Sequence, residues 1–147
     1  EERIFFGQDR LFFVAEFFGV PRSQPCGRPL TLLPVHKPAP GVPQATLTFY
    51  HDFSSPWSFL GSLQAPKLAA AHGARLVYRP ILLGALFRAI GTPNVPMLAI
   101  PEVKRAYGSL DMGDWCRWYG GVQLQFPEGF PIRTVLPLRV SIVEPQV

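Results

Sequence analysis

The sequence predicts an α/β fold, because two segments typical of strands flank a segment typical of a helix. Residues 46–53 are rich in β-branched and aromatic side chains, which favours a buried strand. Residues 58–72 have the apolar spacing of a helix whose predicted core face carries Phe59, Leu60, Leu63 and Leu68. Residues 75–80 alternate as a second strand. A strand, a helix and a strand in this order predict a right-handed crossover with parallel strands.

The turn between the first strand and the helix carries the main functional signal. Ser54 or Ser55 can cap the helix, and Pro56 suits its first turn. Unpaired N–H groups and the positive end of the helix dipole favour a thiolate, carboxylate or phosphate at this position. A serine hydroxyl there can donate to such an anion. Ser55 and Ser58 also have the spacing of a Cys-x-x-Cys pair, with oxygen in place of both sulfurs.

The active-site turn of the 2-hydroxychromene-2-carboxylate isomerases resembles residues 52–61 (Asp-Phe-Ser-Ser-Pro-Trp-Ser-Phe-Leu-Gly). The kappa-class glutathione transferases are similar, and both groups belong to the thioredoxin-like superfamily, in its DsbA-like branch. The resemblance implies a thioredoxin-like fold with a helical insertion, glutathione as cofactor, and Ser55 as the catalytic residue that activates the glutathione sulfur. The alternative interpretation is that Ser54 and Ser55 only cap a helix.

Four residues outside this turn also resemble positions of the family. Gln8 and Asp9 follow a glycine as do the family residues that bind the glutamyl end of glutathione. Asn94 matches an asparagine that contacts the cysteinyl backbone of glutathione, and Lys104 matches a lysine near the site. Each has a structural alternative: Asp9 as a helix cap, Asn94 as a turn residue and Lys104 as a solvated lysine.

Two further residues of the turn are expected to bind glutathione by the same resemblance, namely Pro56 and Trp57. Trp57, together with Tyr50, could also form an apolar wall for an aromatic substrate. Packing in the core is the alternative for both aromatic side chains.

The chain is predicted to consist of three segments. Residues 1–19 predict a strand at residues 3–6 and a helix from Asp9 to Gly19, and they resemble the C-terminal strand–helix piece of a thioredoxin-like domain. Residues 20–45 contain seven prolines and predict a linker. Residues 46–147 resemble the N-terminal part of such a domain with the start of its helical insertion, with helices at residues 81–90, at 102–120 and from Thr134.

A segment that resembles the C-terminal part of the family domain (residues 1–19) therefore precedes one that resembles its N-terminal part (residues 46–147). This order suggests the junction of two fused domains or a permuted chain. The junction is favoured, because no segment matches the central strand and the remaining helices. We accordingly expect an incomplete fold in which the first strand has an open edge. Such an edge could pair with a second copy or with a tandem domain.

The charge, apolar content and cysteines of the chain limit the classes of partner that it is expected to bind. The net charge is +4, and the basic residues are scattered, so a nucleic-acid surface is not expected. No apolar run reaches the 18–20 or so residues that cross a bilayer, and the first residues are not those of a signal peptide. Cys26 and Cys116 have no metal or redox spacing, which predicts free thiols, no metal site and a cytoplasmic location.

The resulting hypothesis is a glutathione-dependent isomerase that acts on an unsaturated aromatic acid. A glutathione transferase or a thiol–disulfide oxidoreductase of the same superfamily is an alternative, although Ser55 and Ser58 cannot exchange a disulfide. A second alternative is a non-catalytic, truncated module that binds a partner or itself through the open edge.

Overall fold

The computed structural model describes residues 3–21 and 41–143. In these ranges two strands, β1 (Thr46–His51) and β2 (Arg75–Pro80), pair in parallel from Thr46 with Arg75 to His51 with Pro80. A 3-10 turn and six helices complete the described part: Gln8–Arg10, α1 (Leu11–Phe17), α2 (Pro56–Ala71), α3 (Leu83–Ala89), α4 (Pro96–Ala99), α5 (Glu102–Trp118) and α6 (Val135–Val143). The predicted strands and the crossover helix are confirmed, whereas the short α4 was not predicted.

Helix α2 packs closely on the sheet through small residues. Gly61 lies against the ring of Phe49 in β1, and a Cβ atom at Gly61 would lie only 2.9 Å from that ring. Ala65 and Ala69 follow at intervals of four residues, on the same helix face, and both are buried. Of the predicted core face, Leu60 is buried as expected, but the prediction is wrong for Phe59, Leu63 and Leu68. These large side chains are partly exposed because the sheet-facing side of α2 carries glycine and alanine.

The core lies between α2 and α5. Leu60, Met112 and Cys116 are its buried members. The partly buried side chains around them are Met97, Trp115, Tyr119, Val122 and Leu124. Burial raises the pKa of the Cys116 thiol, which keeps that thiol protonated and poorly reactive. Cys26 and most of the predicted linker lie outside the described residues.

The N-terminal segment packs against α5. Phe12 and Phe13 are each 2% exposed and form tilted and edge-to-face contacts with the indole rings of Trp115 and Trp118. The guanidinium of Arg10 binds both carboxylate oxygens of buried Asp111, at 2.6 and 3.0 Å. This hydrogen bonding raises the pKa of Arg10 above its ordinary value. Helix α1 is thereby held against a helix about a hundred residues later in the sequence.

Two predictions for this segment are wrong. Residues 3–6 form no strand; Arg3 instead pairs with Asp114, and the Phe6 N–H donates to the Tyr107 hydroxyl at 3.2 Å. A strand needs a neighbouring strand, and this stretch has a helix beside it. Asp9 does not cap the helix, because its carboxylate pairs with Arg10. Gly7, with φ of 95°, begins the 3-10 turn instead.

The later helices agree with the sequence prediction. Helices α3 and α5 lie within the predicted ranges 81–90 and 102–120, and α6 begins one residue after Thr134. Helix α6 packs on β2. No helix of residues 3–21 and 41–143 is both long and apolar enough to span a membrane.

Candidate active site

The turn after β1 is held by a chain of serine hydrogen bonds. Ser55 has extended backbone angles and is the N-cap of α2, where its Oγ accepts from the Ser58 N–H at 3.2 Å. The Ser58 Oγ in turn accepts from the Asp52 N–H at 3.2 Å. Ser54 does not cap the helix, and its Oγ is buried without a hydrogen-bond partner in the part of the chain that the structure describes. Of the two serines, Ser55 is therefore the cap.

Asp52 is the anchor of this turn. Its side chain is 2% exposed, and its two carboxylate oxygens accept from two backbone donors. Oδ1 accepts from the Ser54 N–H at 3.0 Å, and Oδ2 accepts from the Leu83 N–H at 2.8 Å. The carboxylate thus joins the turn before α2 to the first residue of α3. Sequence reasoning did not assign this role, although an aspartate two residues before a serine is the signal of an Asx turn.

The side chain of Asn94 lies against Gly84, in the first turn of α3. A Cβ atom added to Gly84 would overlap the Asn94 Oδ1 atom and would lie 3.2 Å from its Cγ. Gly84 follows Leu83, which donates to Asp52. The predicted site residues Ser55 and Asn94 are therefore connected through Asp52 and the start of α3.

Three aromatic side chains near the turn are exposed to solvent. Tyr50 is 62%, Phe53 50% and Trp57 43% exposed. The core-packing alternative for Trp57 and Tyr50 is therefore wrong. Phe53 also makes an edge contact with the ring of His51, and burial lowers the pKa of that imidazole below its ordinary value of 6.5. Phe53 and Trp57 lie two residues before and two residues after Ser55, and Pro56 occupies the first position of α2. Tyr50 lies on the face of β1 opposite Phe49, the residue that contacts α2.

The other predicted residues lie on different elements. Gln8 and Asp9 are exposed in the 3-10 turn of the segment that packs against α5. Lys104 is exposed in the first turn of α5. Within residues 3–21 and 41–143, no hydrogen bond or ion pair joins these three side chains to Ser55.

One cavity, of about 140 Å³, lies between the N-terminal segment and α5 and contains none of the predicted site residues. Its lining side chains are those of Arg3, Phe5, Phe13, Glu16, Phe17 and Arg117. No group of three or more potential metal ligands is found among the described residues.

Comparison with known proteins identifies the family of this turn and its domain. The sequence model of the DsbA-like thioredoxin domain matches residues 46–143, which include β1, α2 and all later elements. The chain belongs to the DsbA-like thioredoxin family. The fold class predicted from the β-α-β unit and the serine turn is thereby confirmed.

Two curated relatives of this DsbA-like domain align with 58% of the chain. A 2-hydroxychromene-2-carboxylate isomerase of Pseudomonas putida is 35% identical over 85 residues, which are 41% of its length. A protein of the same name from Sphingobium xenophagum is 34% identical over 86 residues, 43% of its length. The chain therefore spans about two fifths of the length of these relatives. No solved structure gives a significant match.

The DsbA-like turn of this chain holds oxygen where a dithiol would need sulfur. Ser55 occupies the N-cap and Ser58 the third position of α2. Thiol–disulfide exchange requires an attacking thiolate and a sulfur leaving group, and neither hydroxyl can serve as one. The turn itself therefore cannot carry out disulfide exchange.

Proposed function

We propose that the protein acts as a glutathione-dependent isomerase in which Ser55 activates the glutathione thiol. The observation that carries the proposal is the Ser55 side chain at the N-terminus of α2, in a chain whose curated relatives are named isomerases. We further propose that the substrate is an unsaturated aromatic acid, as the relatives' name suggests.

Ser55 has the hydrogen-bonding capacity that this role requires. Its oxygen accepts from the Ser58 N–H, which leaves its own O–H available to donate. A sulfur atom placed against this hydroxyl would also face the positive end of the α2 dipole. Both interactions favour a thiolate over a thiol and lower the pKa of the bound thiol.

The residues around Ser55 fit a small aromatic acid and a tripeptide thiol. Glutathione, when bound, supplies a thiolate that can add reversibly to an unsaturated carbon and so permit rotation about the bond. The exposed rings of Phe53 and Trp57 offer an apolar wall for the substrate ring, whereas Tyr50 lies on the opposite face of β1. Asn94, beside the start of α3, has an amide that can bind the peptide backbone of glutathione.

We assign the remaining contacts by the resemblance. Pro56 would pack beside the sulfur, and Gln8 and Asp9 would bind the glutamyl end of glutathione. Lys104 would contribute positive charge near the site. These assignments require the N-terminal segment to lie near the turn while it remains packed on α5.

The test compares glutathione binding by calorimetry among the unaltered chain, Ser55→Ala, Ser55→Asp and Ser54→Ala. Ser55→Ala removes both the cap and the sulfur contact, and we expect it to cost about 1 kcal/mol of stability. Ser55→Asp keeps a capping oxygen but opposes a thiolate with a carboxylate. We expect it to retain stability and to weaken binding at least about tenfold.

Ser54→Ala is the matched control, because its hydroxyl has no hydrogen-bond partner among the described residues. We expect its binding to match that of the unaltered chain. Titration of the thiolate absorbance of bound glutathione gives a second readout, the thiol pKa, which should rise in Ser55→Ala. Equal binding and equal thiol pKa in all four chains would contradict the role of Ser55.

A second candidate function rests on the sheet. In the described residues, β1 pairs with β2 and with no other strand. One edge of β1 therefore offers backbone donors and acceptors to a further strand. A non-catalytic module that associates through this edge is the function that this observation favours.

A further inference from the structure

We propose that Asp52 is a positioning residue of the glutathione site, which holds Ser55 and Asn94 in one arrangement. This inference rests on the proposed function and adds to it a residue that does not itself touch the ligand. Asp52 connects three parts of the chain: the end of β1, the turn before α2 and the first residue of α3.

Both oxygens of the Asp52 carboxylate accept a hydrogen bond. Each oxygen accepts one backbone N–H, from Ser54 at 3.0 Å and from Leu83 at 2.8 Å. An ionised carboxylate that is 2% exposed is costly to bury unless charged or hydrogen-bonding partners offset the lost hydration. Here two N–H donors and the N-terminal ends of α2 and α3 provide the compensation. A neutral amide cannot replace it, because its NH2 group would face one of the two donors.

The hydrogen bond between Asp52 and Leu83 is coupled to Asn94 by Gly84, the residue that follows Leu83. Leu83 is the first residue of α3, and the next residue, Gly84, lies so close to the Asn94 side chain that a Cβ atom would overlap Oδ1. A shift of the α3 N-terminus would therefore move the surface against which the Asn94 amide rests. The bond to Ser54 fixes the turn that carries Ser55. One carboxylate thus holds both sides of the proposed site.

The first test is a double-mutant cycle on glutathione affinity, measured by calorimetry, with Asp52→Asn, Asn94→Ala and the two combined. We expect Asp52→Asn to weaken binding by roughly tenfold, because one of its two backbone bonds is lost. Because Asp52 acts partly through Asn94, the combined loss should be smaller than the product of the single losses, by about fivefold. Hydrogen exchange of the Leu83 or Ser54 amide should accelerate in Asp52→Asn even without ligand.

A second variant removes the same bond from the other side. Leu83→Pro deletes the N–H that donates to Asp52 and leaves the carboxylate intact. Proline is tolerated at the first position of a helix, and Leu82 already has extended backbone angles, as a residue before proline requires. We expect Leu83→Pro to weaken glutathione binding to a degree similar to Asp52→Asn. This variant also provides the answer if Asp52→Asn does not fold.

The control is Thr134→Val, which alters a polar side chain that is equally buried, at 2% exposed, and that precedes α6, outside the proposed site. We expect it to lower stability and to leave glutathione affinity within about twofold of the unaltered chain. Additive losses of glutathione affinity in the cycle, or unchanged binding in Leu83→Pro, would contradict the role of Asp52 and would leave the proposed function standing. No binding by the folded, unaltered chain would overturn the proposed function and the role of Asp52 with it.

Discussion

At the scale of single residues, the serine turn combines a structural and a chemical role. The Ser55 and Ser58 oxygens both accept backbone N–H groups, so the turn depends on the hydrogen-bonding strength of oxygen. Sulfur is a weak acceptor, and a cysteine at either position would hold the turn less well. The same oxygen at Ser55 has a proton to donate. As the N-cap of α2, Ser55 can therefore take the proposed role of donating to an anion while it keeps the hydrogen bond that forms the turn.

The burial of His51 predicts that the stability of the fold depends on pH. Its ring lies beside Phe49, Phe53 and Tyr78, and burial lowers the pKa of the imidazole below 6.5, against a smaller opposing effect of Asp52. The unfolded chain then binds a proton at a higher pH than the folded chain. The stability contributed by neutral His51 is present above about pH 6.5 and is lost as the pH falls from there through the folded pKa. We expect His51→Phe to lose less stability than the unaltered chain over this interval.

Urea unfolding midpoints at about pH 8 and about pH 5 test this expectation. His72→Phe is the control, because this variant also removes one histidine but does so at the C-cap of α2, where His72 is partly exposed. If His51→Phe and the unaltered chain lose equal stability on acidification, burial of His51 is not a source of pH dependence.

Residue roles were predictable where they followed from local sequence. The serine–proline pair identified the helix start, and Ser55 is the N-cap that this pattern allows. The role of Asp52 was missed because one of its two partners, Leu83, lies 31 residues later. Asp9 was predicted as a cap, but the adjacent Arg10 pairs with its carboxylate. Side-chain competition of this kind depends on rotamers that a linear sequence does not specify.

At the scale of elements, the contact between α1 and α5 is held by ion pairs inside an aromatic cluster. Arg10 binds Asp111 with two hydrogen bonds, and its guanidinium also lies 5.2 Å from the ring centre of Trp115. Both charged side chains are largely buried. Loss of one partner would leave the other charge in a poorly hydrated place, whereas loss of both would remove the problem.

We therefore expect Arg10→Leu alone to destabilise the chain by about 2–3 kcal/mol, a reduced value because the pair is not fully buried. The double variant Arg10→Leu with Asp111→Leu should recover at least about half of that loss. Chemical unfolding followed by tryptophan fluorescence measures both, since Trp115 and Trp118 lie at the contact.

Arg88→Gln serves as the control for charge removal, because Arg88 is exposed on α3. Its stability should change by less than about 0.5 kcal/mol. A double variant that is less stable than Arg10→Leu would show that the ion pair itself stabilises the contact more than apolar packing can.

The elements differ in how far the sequence could predict them. Strands β1 and β2 and helix α2 follow from alternation, capping and proline position, all within 35 or so contiguous residues. The strand expected at residues 3–6 was wrong because strand formation depends on a neighbour, and Tyr107 and Asp114 of α5 occupy that place. The prediction of the inward face of α2 was also wrong for Phe59, Leu63 and Leu68. Large apolar residues suggested that face, but Gly61, Ala65 and Ala69 permit the closer approach to the sheet.

At the scale of the whole molecule, the sheet is small for the helices around it. No residue of β1 or β2 is fully buried, and the buried cluster lies between α2 and α5. The β1 residues alternate between half-buried and exposed positions, with Thr48 and Tyr50 on the exposed face. A two-stranded parallel sheet has two edges, and β1 presents one of them among the described residues. The second candidate function depends on whether that edge recruits another copy.

If the edge recruits a second copy, the mass measured by analytical ultracentrifugation should rise with concentration, and Thr48→Lys should reduce that rise. A lysine on an edge strand opposes pairing because its charge loses hydration when another strand covers it. Gln123→Lys adds the same charge at an exposed position outside the sheet and should associate like the unaltered chain. A constant monomer mass, or equal association of all three chains, would contradict pairing through β1. A monomer that also binds glutathione through Ser55 would favour the isomerase over the self-associating module.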